Sequence, residues 1–121
     1  MIRSLMQLYI KNSAEAAAMY CEAFNAPLVV YGTFDDGSYM HAEIDIQGQI
    51  VALSEAMNDT VIGNNVQLCF HLGEGHEELI RHAFEVLSVG GKVIGAPAPC
   101  DYSPLQAVVI DKFGTYWCLF I

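Results

Sequence analysis

Positive charge is scarce in this sequence: five lysines and arginines stand against fourteen aspartates and glutamates, giving a net charge of −9. The five, Arg3, Lys11, Arg81, Lys92 and Lys112, are scattered, whereas a phosphate backbone is held by clustered Lys and Arg. Nucleic acid is therefore excluded as a partner, and an anionic membrane surface is disfavoured on the same ground. No run approaches the roughly 18 apolar residues of a membrane span. The opening MIRSLMQLYIKNS has too short an apolar stretch, broken by Gln7, for a signal peptide. Cys-x-x-Cys spacing is missing too. Cys21, Cys69, Cys100 and Cys118 stand apart among apolar residues, which predicts buried thiols in a reducing compartment rather than a disulfide framework. The expected location is the cytoplasm.

What the chain has in quantity is apolar side chains, 54% of its 121 residues. A chain of this length buries about two-thirds of its unfolded surface, so it fits one domain or two half-modules sharing a core. The apolar surplus predicts a partner subunit, and a homodimer is expected.

SLMQLYI (4–10) has the pattern of a short buried strand. NSAEAAAMYCEAFN (12–25) predicts a helix, with Asn12 and Glu15 spaced as a capping box and Ala16, Tyr20, Ala23 and Phe24 on one face. Asn25 and Pro27 end it. Strands are then predicted at 27–34, 39–46 and 49–56, with DDGS (35–38) and Gln47-Gly48 as turns. MNDTVIGNN (57–65) is polar and turn-rich. The pattern then recurs: a strand VQLCFHL (66–72), a helix within 73–91 carrying Leu79, Ile80, Ala83, Phe84 and Leu87, and a proline-interrupted strand KVIGAPAPC (92–100). LQAVVIDKFG and TYWCLFI close it, turning at Asp111 to Gly114.

This is strand-helix-strand-strand-strand, twice. Tyr20 and Phe24 match Ala83 and Leu87 at the offset that also relates Gly32 to Gly95, and Gly48 precedes Ala52 as Gly114 precedes Cys118. The predicted modules are 1–56 and 65–121, linked by 57–64, within one domain spanning 1–121.

A tandem βαβββ pair of this length resembles the vicinal oxygen chelate superfamily of glyoxalases, bleomycin-resistance proteins and extradiol dioxygenases. AEAAAMYCEAFN, YMHAEIDIQGQIVALSEA and DKFGTYWCLFI are similar to its PhnB-like branch. The resemblance implies an α+β fold in which the tandem modules form a cupped, half-barrel mixed sheet with helices on the outer face. It also implies that metal-dependent members carry ligands on the first and last strands of each module. Those positions here are Leu5, Ala52, Gln67 and Cys118. Leu5 and Ala52 cannot ligate, Gln67 is a weak neutral donor, and Cys118 offers one thiolate, so the usual set of about three His or carboxylate ligands is not expected.

Other chemistry-bearing residues share strand faces. His41 and Glu43 lie two apart, as a metal or acid–base pair would or as a polar pair lining the cup. Gln67, Cys69 and His71 alternate likewise, and Gln7 shares a face with Leu5. Neighbours two apart on a strand are poorly placed for a thiol–imidazole bond, and nothing acidic orients His71. His76 and His82 fall on different faces of the second helix, and Trp117 has the opposite parity to Cys118, so it is expected behind the sheet. Some PhnB-like chains carry a demethylubiquinone methyltransferase label, but GEGHEE is not set in the strand-turn-helix that cradles a nucleotide.

The expected function is binding of a small organic molecule in a largely apolar site lined by Gln7, His41, Glu43, Gln67, His71 and Cys118. No catalytic residue, metal or cofactor is predicted. The alternative is a metal-dependent lyase, isomerase or dioxygenase whose rearranged site uses His41, Glu43 and His71, and only this alternative brings in a divalent metal.

Overall fold

Alternating apolar residues and well-placed turns build one set of elements twice. The computed structural model describes residues 1–121 and divides into two units, Met1–Val61 and Ile62–Ile121. The first holds β1 (Met6–Ile10), α1 (Ser13–Phe24), β2 (Leu28–Thr33), β3 (Tyr39–Ile46) and β4 (Gln49–Glu55). The second holds β5 (Leu68–His71), α2 (Glu77–Leu87), β6 (Lys92–Cys100), β7 (Ser103–Ile110) and β8 (Tyr116–Phe120). Strand orders are β1-β4-β3-β2 and β5-β8-β7-β6, giving two four-stranded mixed sheets. In each, the first and last strands pair in parallel and the others antiparallel. The fold is α+β and glyoxalase-like, and neither sheet closes into a barrel. No helix is long and apolar enough to cross a membrane.

In the first unit, alternation places Ala42, Ile44 and Ile46 of β3 and Val51 and Leu53 of β4 on one face, all buried. The helix α1 packs against these strands with Ala16, Ala17, Tyr20, Ala23 and Phe24 buried. Small alanines let the helix sit close, and Tyr20 and Phe24 fill the space, each contributing about 1.5–3 kcal/mol by burial.

The expected capping box is not what starts α1. Asn12 is left-handed (φ 64°) and makes no side-chain cap. Glu55, at the far end of β4, accepts from the Asn12 amide (3.0 Å), the Ser13 amide (2.9 Å) and the Ser13 hydroxyl (2.8 Å). A carboxylate from the neighbouring strand satisfies the helix's unpaired donors where the local pair does not. The C-terminus is as expected, with left-handed Asn25 returning its N–H to Cys21 O.

Gln47 and Gly48 both have positive φ (54° and 95°) and form a two-residue turn between β3 and β4. Gly32 and Gly95, paired by the repeat, both fall at register shifts in the edge strands β2 and β6. The edge position also accommodates Pro97 and Pro99 of β6, which cannot donate to a ladder.

In the second unit, α2 buries Ile80, Ala83 and Leu87 and packs on β7 and β6. Trp117 is fully buried on the same side as Leu68, Phe70, Val109 and Leu119, edge-on to Phe70 at 5.8 Å. Its Nε1–H donates to Asp111 Oδ2 (2.8 Å). All four cysteines are free, but only Cys118 is buried; Cys69 is exposed, and Cys21 and Cys100 are half-buried. The expectation of four buried thiols fails because Cys69's apolar neighbours, Leu68 and Phe70, point to the opposite face of the strand.

Candidate functional site

On the β1–β4 sheet, the face turned away from α1 carries the polar residues. Register aligns Gln7, Ala52, Glu43 and Val29 in one row across the sheet. Glu43 is the centre of its chemistry. Arg3, from the residues before β1, grips it with both arms: Nη1 donates to Oε2 (2.9 Å) and Nη2 to Oε1 (2.7 Å). His41 Nε2 lies 3.0 Å from the same Oε1, and an ionised carboxylate only accepts, so the proton sits on Nε2. Arg3 first, then His41, hold the Glu43 carboxyl down to about 2 against the opposing effect of burial. Tyr31 packs its ring against His41 at 5.7 Å. Gln7 is anchored alongside, donating to Ser54 Oγ (3.0 Å) and Leu8 O (3.2 Å). A carboxylate this acidic and this fully donated to is a poor base near neutral pH. It can hold positive charge; it cannot readily take a proton.

The corresponding face of the β5–β8 sheet is soft. Cys69 and Cys118 are in-register neighbours on the parallel strands β5 and β8, followed by the pair His71 and Phe120. The His71 ring stacks on Phe120, 4.5 Å between centroids and 9° between planes, and Tyr102 meets Phe120 edge-on at 5.3 Å. Gln106 donates to the Tyr102 hydroxyl and to Cys118 Sγ, the latter at 3.5 Å. Burial, then the adjoining Cys69 thiol, push the Cys118 thiol up to about 11, with Gln106 and Tyr102 pulling the other way. Gln67 is not brought into this group: it precedes β5 and is exposed. His76 sits at the start of α2, its Nδ1 3.2 Å from Gly73 O, and His82 is exposed on the helix.

Comparison with known proteins decides the fold. No family model matches the sequence, and no curated protein does. Solved structures do. A PhnB protein from Bacillus cereus, named for a 3-demethylubiquinone-9 3-methyltransferase activity, superposes with a TM-score of 0.81 at 19% identity, covering 98% of both chains. The chain has the vicinal oxygen chelate fold. A glyoxalase/bleomycin resistance protein/dioxygenase family enzyme from Burkholderia phytofirmans gives 0.70 at 17% identity, covering 96% of this chain and 94% of that one. The fosfomycin resistance protein FosX from Listeria monocytogenes gives 0.67 at 15%, covering 99% and 91%.

The four positions to which the resemblance assigns metal ligands are Leu5, Ala52, Gln67 and Cys118. Leu5 lies ahead of β1, and the residue paired with Ala52 is Gln7, whose amide is already engaged. Ala52 has no donor atom, Gln67 is exposed outside the strand, and Cys118 stands beside a second thiol rather than a carboxylate or imidazole. No group of three or more His, Cys, Asp or Glu side chains converges as metal ligands would. A cleft of about 330 Å³ is lined by Asn12, Ser13, Glu15, Asp36, Ser38 and Glu55 among others, and its polar groups serve to cap α1 and the adjoining turn.

Sequence reasoning missed Arg3, Tyr102 and Gln106. Arg3 and Glu43 are 40 positions apart, and no local pattern announces their pairing. Gln106 had a legible signal, since it alternates with Val108 and Ile110 along β7 and so shares a face with Cys118.

Proposed function

We propose that this chain is a PhnB-like, small-molecule-binding protein of the glyoxalase/bleomycin-resistance type that works without the usual divalent-metal ligand set. The reading is supported by the side chains at the positions the resemblance assigns to metal ligands, Leu5, Ala52, Gln67 and Cys118, and by the commitment of Glu43, the carboxylate paired with Ala52, to Arg3 and His41. The β1–β4 face offers the Gln7 amide and an acidic group already neutralised, and the β5–β8 face by itself offers the Gln106 amide with aromatic and thiol surface (His71, Phe120, Tyr102, Cys69, Cys118). Such a mixture suits an organic molecule with apolar surface and a few polar groups. The drug-resistance names carried by two of the structural neighbours agree with a small organic ligand.

A homodimer belongs to the same reading. Val29, Val30 and Tyr31 on β2 and Val93 and Ile94 on β6 leave apolar side chains exposed along both sheet edges, and a second copy would cover them. Four free thiols favour a reducing compartment, in keeping with the cytoplasm.

The deciding experiment joins elemental analysis of protein purified without chelator to a thermal-shift screen of small organic molecules and divalent metals. The expected result is no stoichiometric divalent metal and stabilisation by organic compounds, a ligand at 100 times its Kd adding about 2.7 kcal/mol. A bound divalent ion lost in His41→Ala, with lyase, isomerase or dioxygenase turnover, would overturn the reading.

A further inference from the structure

We propose that Cys69 and Cys118 form a two-thiolate site for a soft monovalent cation of the Cu(I) type, on the β5–β8 sheet alone. The two residues are Cα partners on parallel neighbouring strands, so their side chains emerge side by side on one face of the sheet. Cys69 is exposed and gives the ion a way in, while Cys118 is 3% exposed and held from behind by Gln106 at 3.5 Å. Tyr102 adjoins the pair through Gln106, which donates to its hydroxyl, and through Phe120, which its ring meets edge-on.

In-register residues on adjacent strands are about 4.7–4.9 Å apart, inside the Cα range that a disulfide also accepts, so the ion-binding state is that of the reduced pair. Metal–thiolate bonds of about 2.3 Å let two sulfurs hold one ion at a separation of up to about 4.6 Å, within reach of side chains on neighbouring strands. The chemistry of the neighbours selects the ion. Val108 and Gly95 continue the row from Cys118, and Gln106 and Phe120 occupy the next, so no carboxylate of this sheet stands in either row. Hard cations need oxygen ligands and structural zinc needs four donors, but thiolates at low coordination suit Cu(I). Binding is a proton exchange: the ion and two thiols give the anionic bis-thiolate complex and two protons. A coordinated thiol deprotonates outright, so burial, which disfavours the free Cys118 thiolate, weakens binding at low pH rather than forbidding the complex. The titratable groups facing the pair are Cys100 on β6, Tyr102 in the turn before β7, His71 on β5 and Tyr116 on β8.

The test is an anaerobic titration of the full chain with Cu(I) buffered by a chromogenic chelator, at several pH values. A single Cu(I) per chain is expected, with affinity rising about two log units per pH unit near neutrality as two protons leave. Cys69→Ser should lose about 100-fold or more, as should Cys118→Ser, since removing a ligand costs more than disturbing its surroundings. Cys21→Ser, on α1 of the other unit, should be unchanged. Cys69→Ser decides the matter without a folding ambiguity, because its side chain is exposed. Unchanged affinity in that variant, an equal loss in Cys21→Ser, or release of fewer than two protons would overturn the site. None of these outcomes bears on whether an organic ligand binds, so this proposal and the proposed function fail separately.

Discussion

The two sheets share one ladder and differ in what it displays. Gln7, Ala52 and Glu43 in the first unit occupy the row that Cys69, Cys118 and Val108 occupy in the second. One row is ionic and clamped by Arg3; the other is soft and uncharged. The connecting turns show how little sequence change is needed. In the first unit Ile46 pairs with Gln49 across Gln47-Gly48. In the second the turn is one residue longer, closed by the Asp111 amide to Thr115 O. A one-residue slip reverses the face of a strand residue, so Asp45, next to last in β3, and Asp111, just after β7, have opposite fates. Asp45 is exposed and accepts from the Gly48 amide (2.7 Å). Asp111 is buried and accepts from the Phe113 amide (2.9 Å), the Thr115 amide (3.0 Å) and Trp117 Nε1 (2.8 Å). Asp111→Ala leaves three donors without their acceptor and is expected to cost about 3 kcal/mol or more, while Asp45→Ala should cost below about 1 kcal/mol. Urea denaturation of the two variants measures the difference, and equal losses would show that the longer turn does not matter.

The helix starts differ in the same manner. Glu55 caps α1 from β4, whereas α2 begins at His76 without a side-chain cap. Glu55→Gln is expected to cost about 1 kcal/mol, the usual value of a cap. Burial raises the Glu55 carboxyl, but the Ser13 amide and hydroxyl and the Asn12 amide outweigh it and hold the group below its ordinary 4.5. Its folded value being depressed, this stabilisation is full above the unfolded value and is lost as pH falls through the folded one. The gap between wild type and Glu55→Gln should therefore narrow below pH 4.5; a gap independent of pH would assign the cap to shape rather than charge.

The repeated fold was legible because it rests on local signals. Strand alternation, Asn25 after α1, Gln47-Gly48 and the paired Gly32 and Gly95 each act within a few residues. His41 and Glu43 were legible together because a strand places i and i+2 on one face. What escaped depends on which strands become neighbours. Cys69 meets Cys118 only because β5 lies parallel to β8, and Glu55 reaches α1 only because β1 lies parallel to β4. Gln67 was placed on a strand that begins one residue later, at Leu68.

The smallest expected effect tests whether the ionic character of the first sheet belongs to that unit by itself. The Arg3 side chain is 54% exposed while that of Glu43 is 7% exposed, so an exposed partner covers a buried one, and Arg3→Ala should leave the fold intact. The Glu43 carboxyl, titrated by side-chain NMR, should move from about 2 toward its ordinary 4.5 and stop short, because the His41 hydrogen bond remains. The sign of the accompanying stability change follows from the depression: the contribution of Glu43 is complete above about pH 4.5 and disappears as pH falls toward about 2. Removing Arg3 should flatten that acid limb by lowering the neutral-pH plateau while stability below about pH 2 stays unchanged, and the loss should be small because an exposed partner is screened by solvent. A midpoint that stays near 2 in Arg3→Ala would transfer the effect to His41. His41→Ala would then have to release the carboxyl, and the contrast between the two sheets would rest on a single imidazole.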